Sequence, residues 1–203
     1  MARPRTDIAP RILRAARKHF REKGVDGSSL RAVARDAGTS IGMIYYYYPT
    51  KDELFFAVVE QTYEKFLAEL ERAVTAEVPF EARLERLYER MAAATRDELD
   101  ILRLVVRDGL LGSRRFERLV ERFLRGHLPL VLGVLREGVK SGEVAGGRHP
   151  VVLLMATLAL AGPPQLVRRA VGDRLPVAGA PTGKALAREL VDVLLHGIAA
   201  RHP

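Results

Sequence analysis

An all-α protein, a small basic three-helix head followed by a larger helical body, is what three features of this sequence predict. Apolar residues recur at the three-and-four spacing of amphipathic helices along almost the whole chain. No segment alternates apolar and polar residues between hairpin turns, so strands have little support. The third feature is charge. Of the net +8, residues 1–50 hold +6, from ten Lys/Arg against four Asp/Glu, while the other 153 residues carry 23 against 21. A basic head on a nearly neutral body points to a polyanion as the partner of the head. The plainer account, that Arg-rich helices only solubilise, is open on charge alone.

The first helix starts near Asp7, a good N-cap type. It puts Pro10 in the first turn, where a missing N–H loses no partner. Ile12, Ala16 and Phe20 recur every four residues beside Leu13, and Gly24 ends the helix. A second helix begins at Ser28 or Ser29, carries Leu30, Val33, Ala34 and Ala37 on one side, and stops at Gly38. Thr39 and Ser40 can cap a third helix over 41–48, which Pro49 blocks. Lys51 opens a long fourth helix with Leu54, Val58, Phe66, Leu70 and Val74 on its buried side. It fades near Ala76, and Pro79 breaks the chain.

Further helices are expected over 80–95, 97–109 and 114–141, the last with a bend at Pro129. Gly142, Gly146 and Gly147 form a loop. A very apolar helix follows over 150–171, kinked or broken at Gly162-Pro163-Pro164. Residues 176–181 read as a loop, and Thr182 caps a last helix with the stripe Leu186, Leu190, Val193, Leu194 and Ile198. The expected division is a head at 1–50 and a body at 51–203.

Composition removes several classes. The apolar run 151–161 is too short to span a bilayer, which takes about 20 residues. No apolar signal core follows Met1-Ala2-Arg3-Pro4-Arg5, so a cytoplasmic protein without a membrane partner is expected. There is no cysteine, hence no disulfide and no thiolate site. The five histidines lack the spacing of a metal site, and neither metal nor cofactor is expected. No two glycines stand two apart, so a G-x-G-x-x-G loop cannot occur. Gly183-Lys184 lacks the rest of a P-loop, because Ala178 and Ala185 hold the other required places, and H-E-x-x-H is missing. An enzyme is not expected.

Three short helices closed by glycine or proline, with surplus positive charge, describe a helix-turn-helix. Its second helix is 29–37, its turn Gly38-Thr39 and its reading helix 40–48. A helix of this kind fits the DNA major groove with its polar N-terminus on bases and phosphates. The run Tyr45-Tyr46-Tyr47-Tyr48 is the sharper signal. Successive helical residues turn by about 100°, so four in a row cannot all face one core. Tyr48 shares the face of Ile44 and is expected to pack. Tyr45 and Tyr46 are expected on DNA, and Tyr47 is open between the two. Gly42, inside the helix, fits either close helix packing or close approach of DNA.

The segment SSLRAVARDAGTSIGMIYYYYPTKDEL, residues 28–54, resembles the N-terminal signature of the TetR family of bacterial repressors. The likeness extends over about residues 8–59, and the final helix is similar to that of many members, more weakly. It implies a dimeric, DNA-binding transcriptional regulator. It puts Ser29 and Arg31 at the DNA backbone or nearby bases and Thr39, Ser40, Gly42 and Met43 near base edges and phosphates. Tyr45 and Tyr46 go on the DNA, Tyr47 beside them in place of a common histidine, and Lys51 on a phosphate. Ile41 and Met43 depart from the more polar family pattern, so contact with thymine methyl groups replaces hydrogen-bond readout there.

For the body, the resemblance implies a small-molecule pocket and a four-helix dimer interface. Large side chains, several with a polar tip, suggest the lining: Tyr63, Phe66, Tyr88, Met91 and Leu102, then Val106, Phe116, Phe123, His127 and Met155. Each also fits an ordinary core. The interface would use Leu186, Leu190, Val193, Leu194 and Ile198, with Gly197 allowing close approach. The expected activity is therefore a DNA-binding regulator, by family default a repressor. It would sit on a palindromic operator as a homodimer and be released by a small, largely apolar effector. The rival reading is a helical ligand-binding or interaction module that has lost specific DNA binding.

Overall fold

The computed structural model describes residues 7–75, 77–171, 174, 179 and 181–197. Eleven α-helices follow one another among them: α1 Ile8–Lys23, α2 Leu30–Asp36, α3 Ile41–Tyr47, α4 Lys51–Val74, α5 Phe80–Ala92 and α6 Arg96–Leu110. Then come α7 Arg114–Leu124, α8 His127–Lys140, α9 Pro150–Ala161, α10 Pro163–Val171 and α11 Gly183–His196. No strand occurs among the described residues, so the fold is all-α as expected. No helix among them is long and apolar enough to cross a membrane.

Two compact units divide the chain. One is Met1–Phe66 with Arg96–Val120, and the other is Leu67–Thr95 with Glu121–Pro203. The opening turns of α4, all of α6 and most of α7 belong with the head.

The first unit has a core of Ile12, Ala16 and Phe20 from α1, Val33 from α2, Ile44 from α3 and Leu54, Phe55 and Val58 from α4, all fully buried. The Phe20 and Phe55 rings meet edge to face at 6.1 Å. Polar bonds tie α1 to α6: Arg17 pairs with Asp97, and Arg21 Nη1 reaches the buried Asp100 at 3.1 Å. Gly24 ends α1 at φ 73°, a left-handed conformation that favours glycine, with the Arg107 guanidinium lying against it.

The second unit is built on α5, which buries Phe80, Leu84, Leu87, Tyr88 and Ala92. α11 packs along α5 and buries its small residues Ala187 and Val191. The Tyr88 hydroxyl donates to Thr157 O at 3.0 Å, and burial pushes its phenol far above the ordinary range. The single helix that spacing predicts over 114–141, bent at Pro129, is two helices instead, separated at Arg125 and Gly126. Pro129 falls in the first turn of α8, where a proline removes no intrahelical bond, so the break goes to glycine. Gly197 is likewise not inside a stripe. It caps α11 at φ 76° and ends the helix. Ile198 lies outside the described residues.

Gly138, inside α8, faces the Phe80 ring so closely that a Cβ would lie 2.5 Å from Cε2. Gly138→Ala should therefore destabilise the protein by about 2 kcal/mol through overpacking, although alanine is the better helix former. A urea melt reads the difference, and an unchanged midpoint would mean that Phe80 swings aside at no cost.

Candidate nucleic-acid interface

The turn between α2 and α3 is set by local bonds. Ser29 caps α2, its Oγ accepting from Ala32 N at 3.5 Å. Ser28 is buried instead, its single hydroxyl proton shared between Gly24 O at 2.6 Å and His19 O at 2.9 Å. Of the two serines, one closes the preceding turn and the other starts the helix. Gly38, at φ 61°, reverses the chain after α2, and Thr39 N returns to Ala34 O at 3.0 Å. Ser40 then caps α3, its Oγ accepting from Met43 N at 3.2 Å. Gly38-Thr39-Ser40-Ile41-Gly42 also has the spacing of a hydrolase nucleophile elbow. That motif needs a strand leading into the turn, whereas here a helix does, and the serine is a cap.

On α3 only Ile44 is fully buried, which leaves one face to the core and the rest open. Tyr45, Tyr46 and Tyr47 are 50%, 77% and 36% exposed. Tyr48 is half-buried, and burial together with Tyr47 raises its phenol pKa. The Tyr46 and Tyr47 rings meet edge to face at 5.3 Å. A Cβ at Gly42 would have only Ser40 Oγ within 4 Å, at 3.7 Å, so no packing inside the chain requires a glycine there. Arg31 is exposed on α2. Thr50 caps α4, its Oγ1 accepting from Glu53 N at 3.0 Å. Lys51 follows, its Nζ donating to Asp26 O at 3.0 Å.

Behind this surface lies a cluster that local sequence patterns do not announce. The Arg115 guanidinium, only 13% exposed, reaches Asp26 in the α1–α2 turn at 2.8 Å, Asp52 at the start of α4 at 3.1 Å and Asp108 of α6 at 2.9 Å. Its hydrogen bond with Arg115 holds the Asp26 carboxyl below its usual range, and the same carboxylates raise the guanidinium further. One turn on, Arg118 lies 3.8 Å over the Phe56 ring and bonds Glu53 at 3.1 Å. Arg11 escapes sequence reasoning for the same cause. It crosses from α1 to hold the carbonyls just after α2, at 2.8 Å to Ala37 O and 2.6 Å to Gly38 O.

The pocket candidates divide between the units. In the first, the Tyr63 and Phe66 rings stack at 6.2 Å, Phe116 lies on Gly109, Leu102 is half-buried, and Val106 is 45% exposed. In the second, Tyr88 spends its hydroxyl on Thr157, Met91 is half-buried, and Met155 is 64% exposed. The Phe123 and His127 rings lie 5.2 Å apart, and burial with Arg122 nearby pushes the imidazole down to about 4, hence neutral at pH 7. Gln165 of α10, which sequence reasoning passes over, is 1% exposed, and neither amide atom has a hydrogen-bond partner among the described residues. Leu186, Leu190, Val193 and Leu194 are half-buried on α11, on either side of the buried Ala187 and Val191.

An all-helical chain with this unit at its head, reading helix bare and polar cap outward, is a DNA-binding transcription regulator. Residues 12–58 match the family described as bacterial regulatory proteins, tetR family. The fatty acid metabolism regulator protein of Bacillus subtilis is 24% identical over 139 residues, covering 67% of this chain and 70% of that one. Two solved structures share the fold. The regulator FadR from Bacillus subtilis, in complex with stearoyl-CoA, superposes with TM-score 0.74 at 19% identity, over 94% of this chain and 99% of that one. A putative fatty acid metabolism regulator of Clostridium perfringens gives 0.78 at 18%, over 94% and 100%. The family match covers residues 12–58, the head of the chain, and the relatives named above are regulators.

Proposed function

We propose that the protein is a repressor that holds a palindromic operator as a homodimer, through residues 1–50. A small, largely apolar effector taken up by residues 51–203 releases it. The observation that carries the DNA contact is α3 itself, where three consecutive phenols stay exposed around a single buried isoleucine. Rings with hydroxyl tips suit deoxyribose and phosphate. Ser29, Arg31, Thr39, Ser40, Met43 and Lys51 would surround them. The open space at Gly42 favours close approach of DNA over packing.

Dimerisation is supported by the second unit. α9 leaves Val151, Val152 and Met155 at 51%, 54% and 64% exposure, next to the half-buried stripe of α11. Lone chains rarely leave such a contiguous apolar face to water. A two-fold pair sets its reading helices about 34 Å apart, one turn of DNA. α4, about 36 Å long at 1.5 Å per residue, contributes to both units. An effector that prefers a tilted α4 would draw the two heads off register, provided it discriminates between the two states. The stearoyl-CoA bound by FadR of Bacillus subtilis makes a long acyl chain, presented as acyl-CoA with its anionic head, the first candidate to try for the apolar effector. A DNA-binding regulator of this kind works in the cytoplasm.

Selection of duplexes from a random pool tests the reading. Expected are two inverted half-sites about one helical turn apart, with retention abolished on adding acyl-CoA but not CoA alone. Recovery of no preferred sequence would favour the rival, a helical ligand-binding module that no longer reads DNA.

A further inference from the structure

Beside the turn that leads into α3 lies an open groove of about 1050 Å³ between α1 and the end of α2. Its walls carry four cations, Arg11, Arg14, Lys18 and Arg35, against two carboxylates, Asp7 and Asp36. The cations differ in how they are used. Lys18 reaches Asp36 at 3.4 Å, and Arg11 is held on the carbonyls of Ala37 and Gly38. Arg17 and Arg21, also on α1, are paired with Asp97 and Asp100. Arg14 and Arg35 are exposed, and neither side chain has an ion-pair or hydrogen-bond partner among the described residues.

Two further points bear on what the groove takes. The carbonyl end of a helix repels anions, but Arg11 covers the end of α2, so the groove floor is cationic where it would otherwise be negative. Arg35 stands one helical turn beyond Arg31, and Gly38 in the groove wall is two residues before Ser40, the cap of the reading helix. The groove is thus continuous with the candidate DNA surface and has its sign of charge.

We propose that this groove is a second phosphate-binding surface, in which Arg14 and Arg35 grip the backbone of the duplex beyond the segment that α3 reads. It rests on the DNA-binding reading and adds two phosphate grips to it. Both are sequence-independent: they set affinity, register and salt dependence, and leave base preference to α3.

The test uses the full-length protein, the selected operator with and without extra flanking base pairs, and binding measured across a salt series. Expected for Arg14→Gln with Arg35→Gln is a slope of log K against log salt that falls by about 0.9 for each phosphate no longer neutralised. The benefit of the flanks should disappear, while the preferred sequence stays the same. Arg14→Lys with Arg35→Lys keeps most of the slope, and Arg125→Gln, an exposed cation of the second unit, leaves it unchanged. A wild-type slope in the double glutamine variant overturns the groove and leaves the DNA reading standing. Failure of the wild-type protein to bind any duplex at low salt overturns both.

Discussion

Tyr46→Ala is expected to weaken operator binding by about 2 kcal/mol, roughly 30-fold in Kd, with no change in dimerisation or melting. The ring is 77% exposed, so its removal costs the folded protein little, and surface substitutions of this kind stay within about 0.5 kcal/mol. What the variant gives up is its hold on the duplex: the face of the ring on sugar and a hydroxyl donating to phosphate, a hydrogen bond to a charged acceptor. Tyr46→Phe separates the two parts, keeping the ring and removing the hydroxyl. Titration of labelled operator against both variants, beside a thermal melt, checks this. Undiminished affinity in Tyr46→Ala would mean that the head docks by another surface.

Arg115→Met should lower stability by about 3 kcal/mol and, in a chain of this size, the melting temperature by about 8 °C. Its guanidinium serves three carboxylates, and Asp108 is buried enough to suffer when left alone. Asp26 and Asp52 are more exposed, so water recovers part of their loss and the figure stays at the low end for a broken buried pair. The pH dependence has a definite sign. Asp26 has its folded pKa below the ordinary 3.8, so its share of the stability is present above that value and lost as the pH falls through the folded pKa. The wild-type protein should therefore lose stability below about pH 4 more steeply than Arg115→Met does. Equal slopes in acid unfolding of the two proteins would show that Asp26 gains nothing from its partner.

Much of the head is legible in the sequence because its signals are local. Gly24 and Gly38 end helices through backbone freedom, and Ser29 and Ser40 start them through side-chain oxygens within three residues. The exposure of Tyr45, Tyr46 and Tyr47 follows from the geometry of one helix with one buried residue, Ile44. Where sequence reasoning fails, the deciding partner is distant. Pro129 reads as a bend only until its place in a first turn is known, and Gly138 has a reason only once Phe80, far off in the chain, lies against it. The body is less legible still. Its apolar residues outnumber the places of a single stripe, and periodicity alone does not separate Ala187 and Val191, which bury, from Leu186 and Leu190, which stay half open.

By itself, then, the sequence determined the all-helical class, the caps and breaks of the head, the sign of its charge and the bare phenols of α3. Each of these depends on atoms within a few residues of one another. Only tertiary structure decided that Arg115 would gather Asp26, Asp52 and Asp108, that Arg11 would bond the carbonyls just after α2, and that Arg14 and Arg35 would line a groove with no partner among the described residues. The physical reason is that an arginine's partner is whichever carboxylate or carbonyl the packing of apolar side chains brings within about 3 Å, and charge carries no periodicity from which that meeting can be read.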